Sequence, residues 1–447
     1  MHDLTQGSVR RHLIAMAVPT AIGMLMQTLY YLVDLYFVGR LGDAALAGVG
    51  AAGTVMMVVI AMTQVLGVGT VALIAQAVGR KDAADANLVF NQSLLMAAGC
   101  AAVTIVGGYA LSGPYMGAVG ADPATTAAGL TYLYWFLPGM ALQFALVAMG
   151  SALRGTGIVK PTMVVQMVTV LLNVVLAPVL IAGWGTGRPM GVAGAGLAST
   201  LAVAAGVVIL YLYFHRLEKY VAVHRNQLRP RLDAWRRLLA IGLPSGGEFM
   251  LMFVIMAVIY GTIRNFGPDA QAGFGVGSRL MQAIFLPAMA LAFAVAPVAG
   301  QNFGAQHHDR VRETFRSAAV MSSALMLVLT FACQWRPQWL VAAFADDPGV
   351  IAVGALYLST VSWNFVASGI NFCCSGMFQA LGNTVPSLAS SASRLVTFVL
   401  PALWLAQRPG VELRHFWYLS VASVALQALT SLLLLRMVMR QRLRAAA

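Results

Sequence analysis

Apolar residues in this chain gather into twelve long runs separated by short polar segments. The runs lie near 13–38, 44–70, 88–112, 127–150, 161–183 and 192–214, then near 238–263, 270–300, 314–334, 350–378, 385–407 and 414–436. Each is long enough to carry a helix across about 30 Å of hydrocarbon, which takes roughly 20 apolar residues. The pattern predicts an all-α integral membrane protein of twelve transmembrane helices. One long polar stretch, HRLEKYVAVHRNQLRPRLDAWRR, follows the sixth run. It divides the chain into a six-helix lobe at 1–214, a linker at 215–237 and a second six-helix lobe at 238–447.

Composition agrees. Hydrophobic residues make up 60% of the 447 and charged residues only 10%, with a mean hydropathy of +0.79. Soluble chains carry about 25% charged residues. So much apolar surface must face lipid, which excludes a soluble enzyme, a nucleic-acid binder and a disordered scaffold. The net charge of +13 has another origin than nucleic-acid binding. With the N-terminus inside, 20 of the 28 basic residues fall in inner segments, 6 in outer ones, and only Arg279 and Arg394 within spans. That bias places both termini in the cytoplasm and the chain in the inner membrane as a multi-pass protein. The first apolar run flows into the second without a cleavage site, so no signal peptide is expected. The four cysteines lie inside apolar runs, where packing is their expected role, and no histidine has metal-ligand spacing.

The halves repeat. A shift of 225 residues aligns Pro19 with Pro244, Gly42 with Gly267, Gln76 with Gln301, Gly79 with Gly304, and Asp122-Pro123 with Asp347-Pro348. It also aligns Gly157 and Pro161 with Gly382 and Pro386. One ungapped offset of this length marks a duplication. Six spans per copy give both copies the same orientation. A pseudo-twofold axis along the membrane normal is therefore predicted, with a cavity between the lobes, as in alternating-access transporters. Pro19 and Pro244 interrupt the hydrogen-bond ladders of spans 1 and 7 and are candidate hinges.

Of fifteen acidic residues, only Asp34 and Glu248 lie within spans. A carboxylate there is costly unless paired, hydrated or neutral. Gln27, Tyr30, Tyr31 and Asp34 recur at three- and four-residue spacing and make a polar stripe on span 1. Low-dielectric surroundings favour the neutral form of a carboxyl, so Asp34 is suited to take up and release a proton. Counted from the helix starts, Glu248 and Arg394 lie at nearly equal depth and are expected to pair, with Arg279 in reserve. The competing reading is that Glu248 stands alone and attracts cationic substrates. On span 10, Asn364, Ser368, Asn371 and Ser375 share one face suited to lining a wet cavity, or to joining helices.

The segments LVDLYFVGRLGDAALAGVG, GVGTVALIAQAVGRKD, LRGTGIVKP, GVAGAGLAST, GLPSGGEF, VAGQNFGA and FQALGNTVP resemble those of the multidrug and toxic compound extrusion family. The likeness covers nearly the whole chain. It implies a cation-coupled exporter, not an enzyme, that exchanges inward protons or sodium for outward small amphipathic, often cationic compounds. It implies no cofactor, no nucleic-acid partner and a monomer in the lipid bilayer. The family's coupling aspartate matches Asp34, its glutamine Gln27 and its tyrosine Tyr30. Its span 5 asparagine matches Asn173, and its span 6 threonine matches Ser199. Tyr30 and Tyr31, with Asn364, Ser368 and Asn371, are then the expected substrate-cavity groups. Two departures matter. Ala177 stands where the family usually has Asp or Asn, which tilts the coupling ion from sodium at Asp34 towards a proton. The second acidic site of the norfloxacin-resistance branch falls on Met252 and near Ser368. A lipid-linked saccharide flippase of the same superfamily is the runner-up.

Overall fold

The computed structural model describes residues 1–445, and among them there is no strand. Twelve helices are long and apolar enough to cross a membrane. Spans 1 to 6 are Val9–Gly39, Asp43–Gly79, Ala83–Val119, Pro123–Gly155, Lys160–Ile181 and Val192–Arg216. Spans 7 to 12 are Leu232–Phe266, Pro268–Gly304, His308–Trp335, Pro348–Ala380, Val385–Ala406 and Leu413–Arg444. Most are longer than the apolar runs because the helices continue into flanking polar residues. Residues such as Val106, 70% exposed in mid-span, present the outward faces expected of helices solvated by lipid.

Local geometry repeats at the offset read from sequence. The carboxylate of Asp122 accepts from the Thr125 amide at 2.7 Å, and that of Asp347 from the Gly349 amide at 2.8 Å. Each caps a helix whose first residue is proline. Outside the membrane, the Thr125 amide holds the Asp122 carboxyl below the usual aspartate range. Spans 2 and 8 end identically. Lys81 and Gln306, 225 apart, are the two non-glycine residues with positive φ among the described residues, at 59° and 61°. In each copy the next amide reaches back to a carbonyl at 2.9 Å, Asp82 to Ala77 and His307 to Asn302.

The chain forms two compact units: Met1–Asp3 with Ile22–Gly242, and Leu4–Ala21 with Leu243–Ala447. The boundaries depart from the expected lobes in two places. The linker and the start of span 7 belong to the first unit, and the start of span 1 belongs to the second.

Side chains explain both. In the first unit, Asn87, Asn91 and Gln92 of span 3 form a ladder of amides along the linker. They donate to the carbonyls of Tyr220, Ala222, Gln227 and Arg229 and accept from the amides of Ala222, His224 and Arg231, all at 2.6–3.0 Å. Arg237 then makes a bidentate pair with Asp85 at 2.9 Å, and Leu238 and Ile241 join the core cluster built on spans 2, 3, 4 and 6. Gly242 lies so close to span 2 that a Cβ would meet the Val65 carbonyl oxygen at 1.9 Å.

In the second unit, the Leu4 amide donates to Gln301 Oε1 at 2.9 Å. Asn302 and Arg310 donate to the Leu4 carbonyl, each at 3.2 Å, and Arg310 to that of Gly7 at 2.8 Å. Both unit boundaries fall close to the candidate hinge prolines, at Ile22 and Leu243. The helices continue through Pro19 and Pro244.

Candidate functional site

Span 1 turns Tyr30 and Asp34 inward, and Asp34 is 7% exposed. Gln27 and Tyr31 lie on the exposed side of the same stripe. Span 5 supplies Asn173 and span 6 supplies Ser199, both fully buried. Gly196 makes this possible: with no Cβ it lets span 6 sit on span 4, where an added methyl would lie 2.8 Å from the Tyr132 carbonyl oxygen. Thr200 fixes the same approach by donating to the Trp135 carbonyl at 2.6 Å. Spans 1, 4, 5 and 6 thereby bring Asp34, Asn173, Ser199 and Tyr30 together, with Tyr132 as a further neighbour.

The Asn173 amide acts on the Asp34 carboxylate, and the Ser199 hydroxyl acts on both Tyr30 and Tyr132. These contacts stop short of hydrogen-bond geometry. Asp34 Oδ1, both polar atoms of the Asn173 amide, Ser199 Oγ and Tyr30 Oη are buried without a hydrogen-bond partner. Interiors seldom leave one such group orphaned, and here five atoms converge. Buried Ala177, in the apolar cluster on this side of span 5, adds no oxygen. The set is one carboxylate with a few neutral oxygens and one amide N–H group.

The second unit holds the other nominated residues. The expected pair between Glu248 and Arg394 is not formed. Glu248 instead accepts from Ser387 Oγ at 2.8 Å and from Ser391 Oγ at 3.0 Å. Ser387 Oγ lies 3.3 Å from Ser375 Oγ, and Gln427 donates to Ser391 at 3.3 Å. Arg394 Nε reaches Ser423 Oγ at 3.4 Å, and its guanidinium lies 5.4 Å from the Phe398 ring centre. Arg279 is exposed on span 8. Among the described residues neither arginine makes an ion pair.

The depth reckoning fails because the two helices do not start level: Glu248, sixteen residues into span 7, bonds Ser387 and Ser391, two and six residues into span 11. Arg394 lies a further three residues along, about 4.5 Å beyond Ser391. A π-helical turn, Leu395–Val399, follows Arg394. On span 10, Asn364 ends a 3-10 turn and is buried, and Ser368 and Asn371 are half-buried. Asn364 and Asn371 each leave Oδ1 without a partner.

Tyr132 is the residue of this cluster that sequence reasoning missed. It sits in LTYLYWFL among three other aromatics, and only its nearness to Ser199 and Asp34 distinguishes it.

Comparison with known proteins accounts for both halves. The MatE family model matches residues 19–179 and again 244–404, two copies separated by 225 residues. The chain belongs to the MatE family. Members of that family are transporters, and this chain is a twelve-span membrane transporter rather than an enzyme. It is 26% identical over 417 residues to the "Probable multidrug resistance protein YpnP" of Bacillus subtilis (strain 168), covering 93% of this chain and 91% of that one. It is 24% identical to the "Multidrug export protein MepA" of Staphylococcus aureus (strain N315), over 90% of each chain. It is 23% identical to the "FAD transporter" of Shewanella oneidensis, over 90% of this chain and 88% of that one. Among solved structures it superposes on "MATE in the bent conformation" with a TM-score of 0.92 and 24% identity, covering 99% of this chain and 98% of that one. These MatE relatives align almost end to end, so the two-lobe fold is theirs as well.

Proposed function

We propose that this chain is a secondary antiporter that exports small amphipathic, cationic compounds in exchange for inward protons by alternating access, with Asp34 as the coupling carboxyl. The orphaned cluster around Asp34 carries this reading. Protonation of Asp34 gives it a donor for its neighbours, and deprotonation leaves a charge that Asn173 and Ser199 must turn to meet. Movement of the proton is thereby tied to the packing of spans 1, 5 and 6. Pro19 and Pro244, each close to a unit boundary, are the proposed hinges. MepA bears a multidrug export name and YpnP a multidrug resistance name, which supports outward drug transport and does not favour the flippase reading. The arginine bias supports an inner-membrane location with cytoplasmic termini, and a monomer is the proposed working form.

Arg394, without an acidic partner, favours one second reading: a substrate that carries an anionic group, as in the relative named an FAD transporter.

The test is export from vesicles holding purified protein, driven separately by proton and sodium gradients, with cationic and anionic substrates. Asp34→Asn should keep the fold and reduce proton-driven export to background. Normal export by that variant across a pH series overturns the coupling assignment, and export driven by sodium alone replaces the proton. Preferential export of anionic dyes, lost in Arg394→Gln, establishes the second reading.

A further inference from the structure

The ends of spans 9 and 12 in the second unit line a half-open cavity of about 440 Å³, apart from the residues described above. That volume lies within the range of small-ligand sites, roughly 300–1,000 Å³. Leu432, Leu435, Met439 and Leu443 form an apolar stripe on the last turns of span 12, and Phe315 of span 9 faces the same space. Beside the stripe, Arg436, Arg440 and Arg444 recur every four residues, and Arg312 adds a fourth guanidinium.

Three like charges one helical turn apart destabilise a helix unless something neutralises them. Among the described residues no acid pairs with Arg436, Arg440 or Arg444. The fourth, Arg312, holds only the exposed carboxylate of Asp309, at 3.2 Å. The apolar run of span 12 ends near 436, so the arginines stand where the hydrocarbon gives way to phosphate headgroups while the apolar wall reaches back into the acyl layer. A cation is repelled here. A free phosphate would engage the guanidiniums but leave Phe315, Leu432 and Met439 without a partner. A phospholipid uses both surfaces, its phosphate on the arginines and its chains along the stripe.

We infer that this cavity binds an anionic phospholipid of the surrounding leaflet through Arg312, Arg436, Arg440 and Arg444.

The experiment is native mass spectrometry of the full-length protein in detergent, titrated with phosphatidylglycerol and with phosphatidylcholine of the same acyl chains. Phosphatidylglycerol should bind more tightly. Each of Arg436→Gln, Arg440→Gln and Arg444→Gln should weaken it about fivefold, the attraction expected of one basic residue at an anionic membrane surface. The matching Arg→Lys variants keep the charge and should retain most of the binding. They also guard against a folding defect, together with an unchanged size-exclusion profile. Arg225→Gln and Arg229→Gln remove equal charge from the linker and should leave binding intact. Glycerol phosphate, which has no acyl chains, should not displace the lipid. Equal binding of the two lipids overturns the inference, as does equal loss in the linker variants. Displacement by glycerol phosphate replaces the lipid with a free anion, and displacement by an acidic peptide replaces it with a protein segment.

Discussion

Both oxygens of the Glu248 carboxylate are occupied by serine hydroxyls, which sets what its replacement does. Glu248→Ala leaves Ser391 without an acceptor and Ser387 with only its 3.3 Å contact to Ser375, and should destabilise the protein by about 1–3 kcal/mol. Glu248→Gln keeps a carbonyl for one serine, and the other hydroxyl can rotate to accept from the amide, so the loss should be smaller. Adding Arg394→Gln to Glu248→Ala should give the sum of the two effects, because the residues share no partner. Thermal unfolding in detergent reads all three, and rescue in the double variant would restore the ion pair that sequence alone suggests. Asp34 and Glu248 were legible because a carboxylate in an apolar run is expensive wherever it points. Their partners were not equally so. Asn173 and Ser199 were reached through family likeness, whereas Ser387 and Ser391 depend on the register of span 7 against span 11. That register is set by packing and leaves no trace in hydropathy.

At the scale of the helix, the twelve spans and their duplication were readable because lipid imposes one length and one polarity on every crossing. The unit boundaries were not, since a helix looks equally apolar on either side of a change of neighbour. The start of span 7 shows why. Residues 232–242 are held by Asp85 through Arg237, by Gln92 through Trp235 at 2.8 Å, and by backbone contact at Gly242. The last contact leaves no room for a methyl. Gly242→Ala should therefore push spans 2 and 7 apart and cost about 1–3 kcal/mol, as overpacking does. Gly261→Ala, at a glycine of span 7 with open space around it, should be neutral or slightly stabilising. Comparing the two thermal midpoints checks whether the packing, and not glycine itself, matters. Span 11 also differs from its neighbours. Its π-helical turn directly after Arg394 interrupts regular α geometry at what is, among the described residues, the only half-buried arginine of a mid-span.

For the molecule as a whole, each compact unit includes the opening segment of a helix whose remainder belongs to the other unit. A fragment that ends at residue 242 should therefore resist limited proteolysis better than one ending at 231, because only the longer one carries Arg237, Leu238 and Ile241 into the first unit. Equal digestion of the two would show that the start of span 7 contributes nothing there. The same arrangement constrains biosynthesis. Leu4 leaves the ribosome well before its amide partner Gln301, which follows 297 residues later. At about 5–20 residues per second, that interval is roughly 15–60 s. Throughout it the opening segment of span 1 waits in the bilayer or at its surface with its second-unit neighbours unsynthesised. A ribosome that stalls near the linker would leave it there, a natural substrate for insertion chaperones and for membrane proteases.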